Sequence, residues 1–280
     1  MTSRPARVRM LASDLDGTLL RSDNTVSDAT RVALADAEKA GLIIAFVTGR
    51  PPRWLHEVAT ETGHTGVAVG ANGALTYDLH TETVLASHAL DPEMLSQVTT
   101  VLREKIPGVR FAMEYGLEFA YEPEYRHDWE ITPAPGATRT GRQMPPASVV
   151  ELENLLDRPA VKLLAKGREM KPDEFMDLVE VLVGEHVTVT RSGHSALVEI
   201  SATGITKASG LAALATSHGV AREEVAAVGD MPNDVPMLEW AGHSYAVANA
   251  HPSAIAAADT VLTETNDQDA VAKLIRSLLA

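Results

Sequence analysis

Short apolar runs that alternate with amphipathic helical segments are the feature that most constrains the fold of this chain. The run LIIAFV (42–47) is apolar at every position, which is typical of a strand that is covered on both faces. Helical patterns with start and stop signals lie on either side of it, at 27–41 and 51–63. Strand and helix patterns alternate again between 225 and 259. This alternation predicts an α/β fold with a doubly wound parallel sheet.

The middle of the chain, residues 84–191, does not follow this regular alternation. It combines a helical pattern at 91–105 with strand-like and further helical segments. A segment rich in Pro, Gly and Thr, ITPAPGATRTGRQMPP (131–146), is predicted to be a loop. The sequence therefore predicts an α+β domain inserted into the sheet domain. The predicted boundaries are 1–83 and 192–280 for the core and 84–191 for the inserted cap.

Composition excludes several kinds of site and partner. The chain has 280 residues and is 45% hydrophobic, so it can bury a sizeable core. It has no cysteine, which excludes disulfides, thiolate metal sites and cysteine nucleophiles and fits a cytoplasmic protein. The formal net charge of −14 opposes binding to nucleic acid. The first apolar run is short and soon meets Asp14 and Asp16, so we expect neither a signal peptide nor a membrane span.

Polar residues follow the predicted strands where parallel strands present their carboxyl ends. Asp14 and Asp16 come after the first strand, Thr48 closes LIIAFVT, and Asp230 closes VAAVGD. Because ligands of open α/β sheets bind at this edge, we expect these side chains to lie together. Asp230 and Asp234 are four residues apart and would share one face of a helical turn.

An oxygen-rich site of this kind is suited to Mg²⁺. Carboxylates that are buried side by side repel one another, and each is costly unless it is paired or bound to a metal. A lone Asp-x-Asp more often caps a helix or turn. Here Gly17 and Thr18 follow at once, and GDMPND adds Asp230, Asn233 and Asp234. Hard oxygen ligands favour Mg²⁺, which keeps waters and a substrate phosphate in its coordination shell.

Four short motifs together resemble those of the haloacid dehalogenase-like (HAD) phosphohydrolases. They are DLDGTLL, VTGR, the lysine in GITKASGL and GDMPND, in this order along the chain. The inserted middle is similar to the large α/β cap of the Cof-type subclass. The resemblance implies a Rossmann-like core and a Mg²⁺-dependent phosphatase. The implied substrate is a small phosphorylated metabolite, with sugar phosphates as one candidate class.

The resemblance also implies a role for each matching residue. Asp14 would be the nucleophile that forms an aspartyl-phosphate, and Asp16 the general acid for the leaving group and then the base for water. The implied metal ligands are Asp14, Asp16 through its backbone carbonyl, Asp230, and Asp234 directly or through water. Thr48 and Lys207 would hold the phosphoryl oxygens, and Asn233 would brace the metal shell. The full set of candidate phosphate- or substrate-binding residues is Gly17, Thr48, Gly49, Arg50, Lys207 and Asn233.

These residue types suit phosphoryl transfer on physical grounds. A carboxylate nucleophile is already ionised at neutral pH, so Asp14 needs no separate base. Its difficulty is the approach to an anionic phosphate, which the Lys207 ammonium and Mg²⁺ would offset. Gly17 lets backbone N–H groups come close to the phosphate.

Several further residues are open to more than one interpretation. Arg50 could reach the substrate phosphate, the cap or an acidic surface neighbour. In ANGA (71–74) the resemblance places Asn72 near the rim of the active site, whereas Asn-Gly by itself is a turn signal. Lys207 could be an ordinary exposed helix lysine. The candidate substrate contacts of the cap, each otherwise a solvated charge, are Arg126, His127, Arg139 and Arg142.

Two other functions stay open at this point. One is a phosphotransferase or phosphomutase on the same scaffold, although phosphomannomutases lack the TGR pattern found here. The other is a metabolite-binding regulator without turnover, since a fold alone does not establish catalysis. Dehalogenases of the superfamily lack an equivalent of Asp16, and no GxxxxGK[ST] is present for a P-loop hydrolase. The oligomeric state stays open as well.

Overall fold

Two β-sheets make up the fold, and each is built from its own part of the chain. The computed structural model describes residues 7–125, 147–167, 170–193 and 195–280. The strands are β1 (Met10–Ser13), β2 (Ile43–Val47), β3 (Val67–Gly70), β4 (Leu75–Asp78), β5 (Thr83–Ser87), β6 (Arg110–Glu114), β7 (Phe119–Tyr121), β8 (Ser148–Val149), β9 (Lys162–Lys166), β10 (Val187–Thr190), β11 (Leu197–Ala202), β12 (Val225–Gly229), β13 (His243–Ala246) and β14 (Thr260–Val261).

The α-helices connect these strands, and short 3₁₀ turns lie between them. They are α1 (Asp28–Lys39), α2 (Pro52–Thr62), α3 (Pro92–Lys105), α4 (Leu152–Leu155), α5 (Pro172–Val183), α6 (Lys207–Ser217), α7 (Val235–Trp240), α8 (Pro252–Ala257) and α9 (Ala270–Leu279). Capping signals set several of their starts: the side chain of Ser27 accepts a hydrogen bond from the Thr30 N–H, and that of Asp91 accepts one from the Met94 N–H. No described helix is both long and apolar enough to cross a membrane.

The larger sheet has eight strands in the order β14-β13-β12-β1-β2-β3-β4-β5. The strands from β14 to β3 are parallel, and β4 and β5 extend the sheet as an antiparallel hairpin. Leu11 faces a core that includes residues of α1, α2 and α9, whereas Met10 and Ala12 face a core that includes residues of α6, α7 and α8. Helices thus cover both faces, and the predicted doubly wound α/β fold is confirmed.

The smaller sheet has six strands in the order β10-β11-β9-β6-β7-β8 and is antiparallel except at the β7–β8 pair. One face packs on α3 and α5 through apolar residues such as Phe111, Leu163 and Ile200. The alternate positions point to the other side of the sheet. Three of them are buried charges, Glu114, Lys162 and Glu199, and each bonds to residues that follow β2 or β3 of the larger sheet.

The predicted domain boundaries at 84 and 192 differ from the strand pairing. β5 pairs with β4 in the larger sheet, so residues 83–87 belong with the core. β11 pairs with β9 and β10 in the smaller sheet, so residues 197–202 belong with the insertion. Sequence pattern missed β5 because every residue in it is exposed, which leaves no buried alternation to detect. We place the boundaries near 88 and 203, and the division into core and cap remains a prediction.

A close approach between two loops at Gly73 leads to the first prediction. Gly73 has φ +100°, and a Cβ built there would lie 2.0 Å from the Thr206 carbonyl oxygen, at the start of α6. Gly41 also has positive φ, +83°, but nothing lies within 4 Å of its Cβ position. Gly73→Ala should therefore lower the free energy of unfolding by at least twice as much as Gly41→Ala, which carries only the backbone cost of about 1 kcal/mol. Urea denaturation of both variants measures this, and equal losses would contradict the steric argument.

Candidate active site

The Lys207 ammonium joins two carboxylates at the carboxyl ends of neighbouring strands. Its Nζ lies 2.7 Å from Asp14 Oδ1 and 2.6 Å from Asp234 Oδ1. Asp14 follows β1, and Asp234 lies in the turn after β12, the strand that pairs with β1. All three side chains are buried, with Lys207 only 1% exposed. The prediction that Lys207 is a site residue rather than an exposed helix lysine thus fits its position.

Lys207 is the first residue of α6, which is an unfavourable place for a cation. The Thr206 side chain caps this helix and accepts a hydrogen bond from the Ser209 N–H. The positive end of the helix dipole opposes an ammonium here. The close contact between Gly73 and Thr206 holds the helix start against the loop after β3. The position of Lys207 is therefore explained by the carboxylates it meets, not by helix stability.

Asp230 and Asp234 form the second half of the acidic cluster. Asp234 Oδ2 accepts hydrogen bonds from the backbone N–H groups of Asp230, at 3.0 Å, and Met231, at 2.9 Å. Asp230 Oδ1 accepts a hydrogen bond from Thr18 Oγ1 at 2.9 Å. A Cβ at position 17 would lie 2.4 Å from Asp230 Oδ2, so only glycine leaves this carboxylate in place. Gly17 also has φ +75°, a conformation that favours glycine.

The charges of this cluster do not balance. Oxygens of Asp14, Asp230 and Asp234 all lie within 4.8 Å of one another, and Lys207 is the cation that contacts two of them. Burial raises the pKa of Asp14 well above its ordinary value, and repulsion from Asp234 adds to this, while Lys207 offsets only part. Burial, with Asp234, likewise raises the pKa of Asp230 to about 6. Three hard oxygen donors with uncompensated negative charge fit a divalent cation such as Mg²⁺.

The loops after β2 and β3 form the opposite wall. Thr48 is fully buried, and its Oγ1 accepts a hydrogen bond from the Arg50 N–H at 3.1 Å, which leaves the hydroxyl proton to be donated elsewhere. Asn72 has φ +57°, as the turn interpretation of ANGA predicts, and its N–H donates to the Thr48 carbonyl at 3.0 Å. Asn233 Nδ2 donates to Asn72 Oδ1 at 3.0 Å, which joins this wall to the acidic cluster.

Arg50 and Asp16 form an ion pair at the edge of the site. Arg50 Nε donates to Asp16 Oδ2 at 2.8 Å, and Arg50 Nη2 donates to Asp16 Oδ1. Such a two-bond pair is the strongest geometry that arginine makes with a carboxylate. The Asp16 side chain is about half exposed, whereas that of Arg50 is mostly covered. Arg50 therefore pairs with an acidic neighbour, as one of the interpretations expected, but this neighbour lies in the cavity wall.

These residues surround a cavity of about 210 Å³. Residues of both parts of the chain line it, and they are Asp14, Asp16, Gly49, Arg50, Trp54, Ser192, Met231 and Asn233. Ser192 follows β10 of the smaller sheet, so the insertion contributes to the wall. A second, more polar cavity of about 480 Å³ is also lined by Asp16, together with Gly17 and Asp230.

All the sequence-predicted residues of the four motifs come together at this edge of the larger sheet. The predicted substrate contacts Arg126, His127, Arg139 and Arg142 lie outside the described residues, as does the predicted loop at 131–146. Sequence reasoning missed Lys162, Glu199 and Trp54. A signal existed for the first two, because each is a single charge inside an otherwise apolar strand, VKLLA and LVEIS.

The raised pKa of Asp230 predicts a pH-dependent stability in the metal-free protein. Its pKa is about 6 in the folded state and near the ordinary aspartate value of 3.8 in the unfolded state, so the folded state holds the extra proton between these values. The stability that Asp230 contributes is therefore lost as pH rises through this window. Relative to the wild type, Asp230→Asn should gain about 1–3 kcal/mol of unfolding free energy between pH 4 and pH 7 in EDTA.

Urea denaturation of both proteins at the two pH values measures this gain. Excess Mg²⁺ at pH 7 serves as the control, since it should stabilise the wild type more than Asp230→Asn. A stability difference that does not change with pH would contradict the argument.

Comparison with known proteins gives this site its context. The sequence profile of the haloacid dehalogenase-like hydrolases matches residues 11–275. The pyridoxal phosphate phosphatase YbhA of Escherichia coli (strain K12) is 31% identical over 279 residues, which cover 97% of this chain and 98% of the relative. The 5-amino-6-(5-phospho-D-ribitylamino)uracil phosphatase YcsE of Bacillus subtilis (strain 168) is 28% identical over 271 residues, which cover 96% and 95%.

The fold is also found among solved structures. That of SMU.1108c from Streptococcus mutans UA159 is similar with a TM-score of 0.83 at 22% identity, over 97% of this chain and 99% of the other. A likeness at this identity supports the fold alone, whereas the profile match spans nearly the whole chain. The resemblance carried by the four motifs and the predicted phosphatase class of enzyme are confirmed, and the chain belongs to the haloacid dehalogenase-like hydrolase family.

Proposed function

We propose that this chain is a Mg²⁺-dependent phosphatase that hydrolyses a small organic phosphate monoester through an aspartyl-phosphate on Asp14. The observation that carries the proposal is the buried Asp14 carboxylate, which lines the 210 Å³ cavity and contacts Lys207 at 2.7 Å. It combines a nucleophile, a cation and an acidic cluster at one edge of the sheet. Phosphoryl transfer requires chiefly such positioning and charge compensation.

Asp14 and Asp230 are the side chains that we propose as direct Mg²⁺ ligands. Asp234 would act through water, because its two oxygens already accept hydrogen bonds from Lys207 and from two backbone N–H groups. The Asp16 backbone carbonyl would complete the protein ligands, as the family resemblance implies. When bound, Mg²⁺ would offset the negative charge of the carboxylates and of the phosphate.

The chain's own residues supply the remaining steps. The Asp14 carboxylate attacks phosphorus, and Lys207 and the Thr48 hydroxyl donate to the phosphoryl oxygens. Asp16 gives its proton to the leaving oxygen and later accepts one from the attacking water, so the proton is returned over one cycle. Because Arg50 bonds to both carboxylate oxygens of Asp16, this pair has to open before Asp16 can donate a proton. Arg50 lines the same cavity as Asp14, so once released it would be available to bind the incoming phosphate.

The substrate class follows from the relatives and from the size of the site. The two curated relatives are named for pyridoxal phosphate and for a phosphoribitylamino uracil, both small phosphate monoesters. A cavity of about 210 Å³ leaves room beside the phosphate for a compact organic group. Sugar phosphates form the third class that a substrate screen should contain. The predictions of no nucleic acid partner and of a cytoplasmic location rest on net charge and on the lack of cysteine, and they remain predictions.

Hydrolysis of p-nitrophenyl phosphate tests the proposal directly. With Mg²⁺ the wild type should release inorganic phosphate and nitrophenolate, EDTA should abolish this, and Asp14→Asn should reduce kcat by about 10³-fold or more, because the nucleophile is lost. Asp36→Asn, a change on the outer face of α1, serves as a matched control. Metal-dependent turnover that survives Asp14→Asn would rule out the aspartyl-phosphate mechanism. Nitrophenolate release without inorganic phosphate would indicate transfer to another acceptor.

The double role of Asp16 can be separated with the same substrate. Nitrophenolate is a good leaving group that needs little protonation, so Asp16→Asn should slow the second step, attack by water, more than the first. Stopped-flow measurement should then show a burst of about one nitrophenolate per active site, followed by slow turnover. A variant that loses the burst together with turnover would place Asp16 in the first step instead.

A further inference from the structure

A buried polar network joins the smaller sheet to the active-site wall. Lys162, Thr190 and Glu199 come from β9, β10 and β11, and Asn72 and Asn233 come from loops of the larger sheet. Each of these five residues is at most 8% exposed. Asn233 lines the cavity beside Asp14, but the mechanism above gives no role to Asn72, Thr190, Lys162 or Glu199.

The Lys162–Glu199 pair places one defined charge at the start of the network. Lys162 Nζ donates to Glu199 Oε1 at 2.9 Å and to the Gly49 carbonyl at 2.7 Å. Burial by itself would raise the pKa of Glu199, but the Lys162 ammonium and hydrogen bonds from Lys162 and Asn72 more than offset this and hold it below its ordinary value. Glu199 is thus an ionised carboxylate, which can only accept hydrogen bonds.

That charge determines how the two amides are oriented. Asn72 has to present its NH₂ group to Glu199, and its Nδ2 lies 2.7 Å from Glu199 Oε2 and 3.1 Å from Thr190 Oγ1. The Asn72 Oδ1 then faces Asn233 and accepts a hydrogen bond from Asn233 Nδ2 at 3.0 Å. Each amide orientation is therefore fixed by the acceptor before it in the network.

Among the described residues, the Asn233 side chain has no second hydrogen-bond partner that would hold this orientation. Its Oδ1 is buried and has no hydrogen-bond partner among the described residues. A reversed amide would lose nothing at that oxygen, so the bond to Asn72 decides between the two orientations. The NH₂ group has a second N–H besides the one that bonds to Asn72, whereas a reversed amide would put the Oδ1 acceptor in its place. Since a phosphate consists of acceptors, its binding depends on this orientation.

We propose that Glu199 is a positioning residue for phosphate binding: through Asn72 it fixes the Asn233 amide at the cavity wall, so that the polarity of the core site is set by a charge on the inserted sheet. This rests on the proposed function, since it assigns the phosphate to the cavity of Asp14. Lys162 keeps Glu199 ionised and also donates a hydrogen bond to the Gly49 carbonyl, which holds the loop after β2. The core site is then complete only when the smaller sheet is seated on it.

Binding of inorganic phosphate in the presence of Mg²⁺, measured by calorimetry, tests this without turnover. Glu199→Gln keeps the shape of the side chain but removes the enforced polarity, and it should weaken phosphate binding about tenfold. Glu114→Gln is the matched control, because Glu114 is another buried carboxylate of the smaller sheet that pairs with a core residue, Arg53. It should lower the thermal midpoint comparably and change phosphate affinity less than about twofold.

A double variant supplies the decisive measurement. Asn72→Asp alone sets two buried carboxylates against each other and should weaken phosphate binding by more than about tenfold. In Asn72→Asp/Glu199→Gln, the glutamine donates to the new carboxylate, whose other oxygen again accepts from Asn233. The double variant should recover to within about threefold of the wild-type affinity.

Two results would overturn the proposal. One is an equal loss of phosphate affinity in Glu199→Gln and Glu114→Gln, and the other is a double variant no better than the weaker single variant. Hydrolysis by the unmodified protein is measured separately and decides the proposed function. If the wild type hydrolyses phosphate esters but Glu199→Gln binds phosphate normally, the proposed function stands and the positioning role of Glu199 is wrong. If the double variant recovers phosphate binding but the wild type shows no hydrolysis, the positioning role stands and the proposed function is wrong.

Discussion

The bridge from Lys207 to Asp14 and Asp234 is the interaction on which the rest of the site depends. Parallel pairing of β1 with β12 brings two acidic loops together that are more than 200 residues apart in sequence. Without a cation between them, their carboxylates would be buried like charges, which a fold tolerates poorly. Lys207 supplies that cation from a helix start, where its charge is otherwise disfavoured. The helix is held there by close backbone packing of Thr206 against Gly73.

One ammonium is nevertheless too little for this cluster. The pKa values of Asp14 and Asp230 are raised in spite of Lys207, so their ionised forms remain penalised. A phosphate would add further negative charge to the same space. The acidic cluster of this fold therefore fits a divalent cation on electrostatic grounds, in addition to what the family implies. Hydrogen bonds within the loop oppose the repulsion between these carboxylates. Asp234 accepts from the backbone N–H groups of Asp230 and Met231, which keeps the acidic oxygens close together.

The sequence was most informative where burial leaves a pattern. The doubly buried strands around Asp14, Thr48 and Asp230 were predictable because a strand covered on both faces is apolar throughout. Their polar residues were predictable as a site because the carboxyl ends of parallel strands share one edge. β5 was not predictable, since a fully exposed strand has no buried alternation, and the predicted boundary at 84 fell inside it. The predicted boundary at 192 lies before β11, and only strand pairing shows that β11 belongs to the second sheet.

Contacts between the sheets could not be derived from either sheet alone. Lys162 and Glu199 each look like an isolated charge in an apolar strand, and nothing local says that they meet each other or the loops of Gly49 and Asn72. The structure also gives a reason why amides, Asn72 and Asn233, lie between Glu199 and the cavity. A carboxylate beside the phosphate would repel it, whereas Asn72 and Asn233 carry the orientation set by Glu199 to the cavity without adding charge. A chain of neutral amides whose orientation is fixed at Glu199 thus lets an inserted sheet act on an anionic site. The negative charge of Glu199 itself stays one side chain removed from Asn233 and is paired with Lys162.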